Sequence, residues 1–183
     1  MAIDAAVHPD VTKVLLSESV LRDRIRELGA RITRDYDGRR LLVVGVLKGS
    51  VIFLADLLRA IGSDVDVHVD FVAVSSYAGT ASTGTIRVML DLRENTEGRD
   101  VLLVEDIVDT GLTLSSLTET LRARKPRSLE VCTLLDKPEC RKTPFQPKYT
   151  GFQIANEFVV GFGLDYDERY RQLPYVGVLT RKI

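Results

Sequence analysis

The sequence predicts an α/β domain in which a mainly parallel sheet is flanked by helices. Apolar runs typical of buried strands alternate with stretches of helical periodicity, and no internal repeat or low-complexity tract interrupts this alternation. The length of 183 residues fits a single domain over residues 1–183, because one domain takes about 150 residues. Ligands of parallel sheets bind where the strands end, so the strand-to-loop junctions should carry the function.

Three segments are predicted to be helices. Four aliphatic residues in the range 21–32 recur at steps of three or four, and Ser17 stands where an N-cap is expected. Residues 51–61 have the length and composition of a largely buried helix. Residues 112–124 form the third predicted helix, with basic residues crowded at its carboxyl end and Pro126 directly after it.

The predicted strands lie between and after these helices. Residues 41–47 are continuously apolar, which suits a strand covered on both faces, whereas residues 65–74 begin as an alternation typical of a strand with one wetter face. Further strands are predicted over residues 86–90, 101–104, 129–135, 158–162 and 176–179. Residues 75–85 are small and uncharged around Tyr77, and such a long loop is typical of either a functional lid or a disordered segment; we expect a lid.

Composition excludes several classes of protein. The formal charge of −1 argues against a protein that holds nucleic acid through a bulk positive field. Cys132 and Cys140 are too few and too far apart for a zinc site, and we expect them to be reduced. No apolar run reaches the roughly 18 residues of a membrane span, and the first residues lack the pattern of a signal peptide. We therefore expect a cytoplasmic protein with no membrane partner.

The most informative junction covers residues 101–113. Four apolar strand residues end in the adjacent carboxylates Glu105 and Asp106, and Asp109 follows three residues later at the start of a helix. The free amides of a helix N-terminus bind phosphate, and Gly111 allows the backbone to approach such a ligand closely. Carboxylates next to a phosphate would repel it unless they bind sugar hydroxyls, a metal ion or a proton. The combination indicates a site for a phosphorylated sugar.

Three other interpretations of this junction fit its residues less well. The Asp-Thr-Gly sequence of residues 109–111 also occurs in aspartic proteases, but those enzymes need two such aspartates on a β scaffold. A Walker nucleotide site needs Gly-Lys-Ser/Thr, whereas residues 48–50 place the lysine before the glycine. An acidic turn that only caps a helix would explain the aspartate and the threonine, but it would not explain the paired carboxylates at the strand end.

Residues 105–113 resemble the phosphoribosyl-diphosphate signature of the type I phosphoribosyltransferases. Further segments resemble the hypoxanthine (hypoxanthine-guanine) branch of that family as bacteria have it: residues 47–49, 76–77, 135–138 and 158–171. The resemblance covers roughly residues 12–180. It implies the type I fold, with a small hood formed by the N- and C-terminal segments and a flexible lid loop at about residues 75–85.

The resemblance also implies roles for single residues at the donor site. Residues 110–113, which are Thr110, Gly111, Leu112 and Thr113, would cradle the 5′-phosphate. Glu105 and Asp106 would hold the ribose hydroxyls, with Mg²⁺ bridging to the diphosphate. Some relatives carry a lysine where this chain has Leu112, so one possible charge contact is absent here.

At the acceptor and leaving-group sites the implied roles are as follows. Asp109 would be the general base at N7 of the purine, and Lys137 would donate to the exocyclic O6. Phe158 would stack on the base and the backbone near Val159 would read its edge. Lys48 and Gly49 would belong to a pyrophosphate loop that has a non-proline cis peptide before the lysine. Arg171 would also bind pyrophosphate, and Asp165 would help to position a second Mg²⁺. Ser76 and Tyr77 would be the closing contacts of the lid.

Simpler interpretations exist for several of these residues when each is taken alone. Lys48 and Arg171 are typical of ordinary surface cations. Phe158 lies in an apolar run and would more often be a core residue, and Lys137 could be a turn charge. Their joint order relative to residues 105–113 favours the functional interpretation.

The activity that the resemblance implies is a purine-salvage pentosyl (glycosyl) transfer. The enzyme would move the 5-phosphoribosyl group from 5-phosphoribosyl 1-diphosphate to hypoxanthine or guanine, a 6-oxopurine base, giving IMP or GMP and pyrophosphate in a Mg²⁺-dependent reaction. The family implies a homodimer or homotetramer. The alternative is a nucleotide-responsive, RNA-binding regulator of the same fold, although such regulators lack an acid at the position of Asp109.

Overall fold

The described residues, 7–76 and 86–179 of this computed structural model, form two sheets and three helices. In chain order the elements are β1 Val11–Leu16, α1 Glu18–Asp35, β2 Arg40–Leu47, α2 Val51–Ala60, β3 Asp66–Ser76, β4 Ile86–Leu90, β5 Asp100–Val108, α3 Leu112–Arg122, β6 Ser128–Asp136, β7 Tyr149–Gln153, β8 Val159–Val160 and β9 Val176–Leu179. A single turn of 3₁₀ helix covers Pro138–Cys140. None of the helices in this part of the chain has the length and apolarity needed to cross a membrane.

The larger sheet has six strands in the order β4-β3-β2-β5-β6-β7. All neighbouring pairs are parallel except β3–β4, which is antiparallel at one edge. The continuous apolar run of β2 is explained by this position, because alternate residues face two different cores: Leu41 and Val43 pack on the face that carries α1 and α2, and Leu42 and Val44 on the face that carries α3. The predicted mainly parallel sheet flanked by helices is confirmed.

The helices form where apolar residues recur on one face. α1 buries Leu21, Ile25, Leu28 and Ile32, and the hydroxyl of Ser17 accepts a hydrogen bond from the Val20 amide, which confirms the predicted N-cap. α2 and α3 lie on opposite faces of the sheet.

The smaller sheet joins the two ends of the described chain. β1 and β8 both pair antiparallel with β9, in the order β1-β9-β8. Val160, Tyr170 and Tyr175 form its apolar core together with residues of β1 and β9. This sheet corresponds in chain position to the hood that the resemblance implies.

The parallel strands bring three predicted site residues to one edge of the larger sheet. Lys48 follows β2, Asp109 follows β5 and Lys137 follows β6. Val108 at the end of β5 lies opposite Asp136 at the end of β6. The carboxyl ends of these strands therefore form a common rim, as expected for a parallel sheet.

Several predicted bounds differ from the structure. β5 continues to Val108 because Ile107 and Val108 still pair with β6, so the two carboxylates lie within the strand and not after it. α3 ends at Arg122, two residues early, and only Val159–Val160 of the predicted strand 158–162 is a strand. β1 and β7 were missed, because neither has a strong apolar alternation. Tyr77 and the rest of the predicted lid, residues 77–85, lie outside the described residues.

Candidate active site

Of the adjacent carboxylates of β5, Asp106 is buried at the rim of the sheet and Glu105 is half-buried. Only 8% of Asp106 is exposed, and its Oδ1 accepts a hydrogen bond from the Ile107 amide at 2.8 Å. Burial and the neighbouring Asp106 carboxylate raise the pKa of Glu105 well above its usual value. Burial also raises the pKa of Asp106, against the opposing effects of hydrogen bonds and the Arg171 cation. Among the described residues, Oε2 of Glu105 is buried and has no hydrogen-bond partner.

The turn from β5 into α3 is shaped by Gly111. This residue has a φ of 79°, which L side chains rarely adopt, and it is the N-cap of α3. A Cβ at this position would lie 2.8 Å from Oγ1 of Thr143 and 2.9 Å from Cδ of Arg141, so the following loop packs directly on the turn. The amides at the start of α3 are left unpaired by the helix, which suits an anion.

A cavity of about 150 Å³ joins the strand end to the start of α3. Its lining includes Glu105, Asp109, Thr110, Gly111 and Thr113. The structure therefore brings together one of the two predicted sugar-binding carboxylates, the predicted base and the predicted phosphate cradle. The Asp106 carboxylate interacts with that of Glu105 and packs against Gly49 in the loop that follows β2.

The loop after β2 is packed against Asp106 without space for a side chain. The peptide bond between Leu47 and Lys48 is cis, as the family resemblance implies. A Cβ on Gly49 would overlap Oδ2 of Asp106, and a Cβ on Gly163 would overlap the carbonyl oxygen of Gly49. Three chain segments, the β2–α2 loop, the end of β5 and the turn at residues 161–163, therefore meet at this point.

The predicted pyrophosphate cations form ion pairs with a nearby turn. Nζ of Lys48 lies 3.1 Å from Oε1 of Glu168, and Nη2 of Arg171 lies 3.3 Å from Oε2 of the same residue. Arg171 also pairs with Asp165 at 2.9 Å and donates to the carbonyl oxygen of Gly163 at 2.8 Å. Lys48 and Arg171 together hold the pKa of Glu168 below its usual value. Within the described residues, Nε of Arg171 is buried without a partner.

The predicted metal ligands are divided between two places. Glu105 and Asp106 lie on β5, while Asp165 pairs with Arg171. Over residues 7–76 and 86–179, no three His, Cys, Asp or Glu side chains come together as a metal-binding group. Any ion held here would therefore depend on two protein carboxylates and on oxygens of a substrate.

The predicted purine-binding residues lie at the end of β6 and at β8. Only 6% of Lys137 is exposed, and its amide donates to the carbonyl oxygen of Val108 at 2.9 Å. The Phe158 ring is half-buried and meets the Tyr166 ring edge-on, with centroids 5.5 Å apart. Val159 is buried in the core of the larger sheet. Ser76 is the last residue of β3, beside the edge strand.

Sequence reasoning missed two residues next to the predicted base. Nη1 of Arg141 donates to the carbonyl oxygen of Asp109 at 2.8 Å, and its Nη2 pairs with the Asp136 carboxylate. Desolvation, and after it the contact with the Asp109 carboxylate, raises the pKa of the Cys140 thiol. Both residues lie in a proline-punctuated loop whose sequence has no periodicity, so no local signal showed that the loop folds back onto the β5–α3 turn.

Comparison with known proteins gives a consistent result. Residues 15–167 match the family model of the phosphoribosyl transferase domain. The hypoxanthine-guanine phosphoribosyltransferase of Staphylococcus epidermidis is 51% identical over 178 residues, which are 97% of this chain and 98% of that protein. A solved hypoxanthine phosphoribosyltransferase of Staphylococcus aureus superposes with a TM-score of 0.92 at 49% identity, covering 97% of this chain and 96% of that one.

One group of relatives is much longer than this chain. The bifunctional protein TilS/HprT of Listeria innocua is 51% identical over 179 residues, which are 97% of this chain. The chain spans 27% of the length of that relative. The similarity therefore concerns one part of the longer protein.

Proposed function

The chain belongs to the phosphoribosyltransferase family, and from this we propose that it transfers the 5-phosphoribosyl group of 5-phosphoribosyl 1-diphosphate to hypoxanthine and guanine. The products would be IMP or GMP and pyrophosphate, so the reaction would salvage free purines. The observation that carries the proposal is the cavity in which Glu105 and Asp109 lie beside the start of α3. A phosphate, a sugar and a base with a transferable proton would each find a suited group there.

The donor would bind with its 5′-phosphate at Thr110–Thr113, where free helix amides and two hydroxyl groups converge. The Glu105 carboxylate, which lines the cavity, would accept a hydrogen bond from a ribose hydroxyl. The neighbouring Asp106 carboxylate would hold the second hydroxyl. Burial raises the pKa of both carboxylates, as is common at functional sites, and a bound ligand would supply further partners for their charge.

Magnesium fits the donor set of this site. Mg²⁺ takes oxygen ligands and is usually held by one or two carboxylates together with substrate phosphates and water. Glu105 and Asp106 offer two such carboxylates, and Asp165 would assist a second ion. When bound, the ion would neutralise charge that develops on the departing pyrophosphate.

The purine would lie between the ends of β5 and β6. Its O6 would accept a hydrogen bond from Lys137, and its N7 proton would face the Asp109 carboxylate. Phe158 would stack on the ring, and the backbone at Val159 would contact the purine edge. Lys137 can only donate a hydrogen bond. It therefore favours a purine with a 6-oxo group over adenine, whose 6-amino group is also a hydrogen-bond donor.

In the reaction, the bond between C1 of the ribose and the pyrophosphate oxygen breaks and a bond from purine N9 to C1 forms. The N7 proton passes to the Asp109 carboxylate as the N9–C1 bond forms, so the purine ring of the nucleotide product carries no positive charge. Lys48 and Arg171 would stabilise the negative charge of the leaving group. Ser76 and Tyr77 would close over the site and exclude water, which would otherwise attack the same carbon.

Pyrophosphate release tests the proposal. The full chain with 5-phosphoribosyl 1-diphosphate and Mg²⁺ should release pyrophosphate with hypoxanthine and with guanine and should be nearly inactive with adenine; xanthine defines the remaining specificity. No release with any of the four bases would contradict the proposal. The alternative of an RNA-binding regulator gains no support from the comparisons, and a gel-shift with operon leader RNA would detect it. A cytoplasmic location and a homodimer or homotetramer stay predictions.

A further inference from the structure

Arg141 connects two parts of the site that lie on different strands. Its guanidinium reaches the carbonyl oxygen of Asp109, directly after β5, and the carboxylate of Asp136, the last residue of β6. This ion pair is well buried, with 13% of the arginine side chain and 7% of the aspartate side chain exposed. A guanidinium has donors in a fixed planar fork, so it holds two acceptors at a set separation in a way that an ammonium group does not.

The loop that carries Arg141 makes a second contact with the same turn. The Lys142 amide donates to the carbonyl oxygen of Thr110 at 2.9 Å, and the Arg141 side chain packs on Gly111. The start of α3 has its own support, since the Ser115 amide donates to the Gly111 carbonyl oxygen at 2.9 Å. The Arg141 guanidinium hydrogen-bonds to Asp109, whereas its stem only packs on Gly111, and the Lys142 bond to Thr110 is made by backbone; loss of the guanidinium should therefore disturb Asp109 more than the phosphate cradle.

The two positions that Arg141 connects have linked tasks in the proposed reaction. Asp109 faces N7 of the purine, and Lys137, which directly follows Asp136, faces O6. N7 and O6 lie on the same edge of a 6-oxopurine. The Asp109 carboxylate and the Lys137 ammonium group must therefore keep a fixed separation to contact both atoms at once. A displacement of about 1 Å in such a pair is enough to reduce turnover by about 100-fold.

We propose that Arg141 is a positioning residue that holds Asp109 and Lys137 in register for a 6-oxopurine. The inference rests on the proposed function, because it assigns the purine edge to these two residues. Arg141 acts through the backbone of Asp109 and through the Asp136 carboxylate, and it does not contact the substrate itself.

The chain offers a matched control at the other end of the same two strands. Arg127 pairs with Asp100, whose residue exposure is 1%, and its Nε donates to Oδ1 at 3.0 Å. This pair connects the beginnings of β5 and β6, whereas the Arg141 pair connects their ends. Arg127→Gln and Arg141→Gln therefore both remove an arginine from a buried carboxylate, and only one of them is next to the site.

The experiment compares steady-state kinetics of Arg141→Gln, Arg141→Lys, Asp136→Asn and Arg127→Gln with the wild type, below the Tm of each variant. We expect Arg141→Gln to lower kcat with hypoxanthine by about 10- to 100-fold and to raise the KM for hypoxanthine, while the KM for 5-phosphoribosyl 1-diphosphate changes by less than about twofold. Arg141→Lys should recover part of kcat, because it restores the charge but not the fork. Arg127→Gln should lower the Tm and leave the kinetic constants unchanged.

Two results would overturn the inference. In the first, Arg141→Gln loses stability as Arg127→Gln does but keeps its kcat within about twofold, which would make the arginine structural only. In the second, Arg141→Gln raises only the KM for 5-phosphoribosyl 1-diphosphate, which would mean that Arg141 supports the phosphate cradle and not the purine site. Should Arg141→Gln fail to fold, Arg141→Lys and Asp136→Asn carry the same comparison. An inactive wild-type protein would contradict the proposed function, which separates the two failures.

Discussion

The two sides of the candidate site are built in different ways. At the ends of β5 and β6 the Asp109 carboxylate is exposed, but Lys137 is buried, and so is the Arg141–Asp136 pair next to them, whose side chains are 13% and 7% exposed. At the loop after β2 the cations are held by exposed ion pairs, and the side chains of Lys48 and Glu168 are 67% and 63% exposed. The buried side can fix the position of a proton or a hydroxyl group, while the exposed side can exchange one anion for another.

This difference predicts how mutations on each side behave. Substitution of a buried group with fixed partners should change activity or stability strongly and independently of salt, because the removal of one partner leaves another group unpaired. Exposed pairs contribute little and are screened by salt. The following changes test that order, beginning with the largest effect.

Asp109→Asn should have the largest effect. The amide cannot take the N7 proton, so kcat should fall by about 100- to 10,000-fold, which is the usual contribution of a positioned acid–base group. The donor should still bind, because its proposed contacts are at the start of α3 and at Glu105. Rapid-quench turnover and calorimetric binding of 5-phosphoribosyl 1-diphosphate with Mg²⁺ measure the two quantities. A fully active variant would remove Asp109 from the role of base.

Lys137→Ala should weaken the use of 6-oxopurines by about 10- to 100-fold in kcat/KM, because it removes a charged hydrogen-bond donor to O6. The site for 5-phosphoribosyl 1-diphosphate should be undamaged in this variant, so the KM for that substrate serves as the internal control. Unchanged kinetics with hypoxanthine would place Lys137 outside the purine site.

Glu105→Gln should separate stability from binding. The pKa of Glu105 is raised in the folded state, so the folded protein binds more protons than the unfolded chain between the unfolded and the folded pKa. Stability therefore falls as the pH rises through that window, and the charged carboxylate destabilises the free protein at neutral pH. The neutral amide should raise stability by about 1 kcal/mol, or a few degrees in Tm, while weakening donor binding about tenfold.

The pH dependence provides the control for this variant. Its gain in Tm over the wild type should shrink at pH 4, where the glutamate of the wild type is already protonated in the folded protein. A Tm that falls on substitution at neutral pH would contradict the account of Glu105 as an uncompensated buried carboxylate.

Glu168→Gln should have the smallest effect. Glu168 competes with pyrophosphate for Lys48 and Arg171. The Glu168→Gln protein should therefore bind pyrophosphate about two- to fivefold more tightly than the wild type at low ionic strength. This gain should disappear at about 0.5 M salt, because Glu168 and its partner Lys48 are both exposed. Exposed Glu18, which pairs with Arg22 on α1, offers a matched control in Glu18→Gln. A gain that persists at high salt would mean that the pair is not an ordinary exposed one.

The same division explains what the sequence could predict. Periodicity indicated α1 and α3, and length and apolar composition indicated α2 and the apolar strands, because each of these signals lies within one element. The carboxylates, Asp109 and the helix start were found because they follow one another in the chain between residues 105 and 113. The cis peptide before Lys48 was expected from the family resemblance alone, and the structure confirms it.

The missed features depend on contacts between distant segments. Nothing around Arg141 shows that its guanidinium meets Asp109, which lies 32 positions earlier. Glu168 and Lys48 are 120 positions apart, and their pairing follows from the turn at residues 161–171 packing on the β2–α2 loop. β7 was missed because Gly151 interrupts its apolar pattern, although the close approach to Leu134 leaves space only for glycine there.

The central claim is that the buried end of the site selects a 6-oxopurine for transfer of the phosphoribosyl group. A competition experiment tests it most directly: the wild-type chain is incubated with Mg²⁺, 5-phosphoribosyl 1-diphosphate and equal amounts of hypoxanthine and adenine, and the products are identified by mass spectrometry. The account predicts IMP with one pyrophosphate per nucleotide and almost no AMP. Equal amounts of IMP and AMP, or pyrophosphate without any nucleotide, would contradict it.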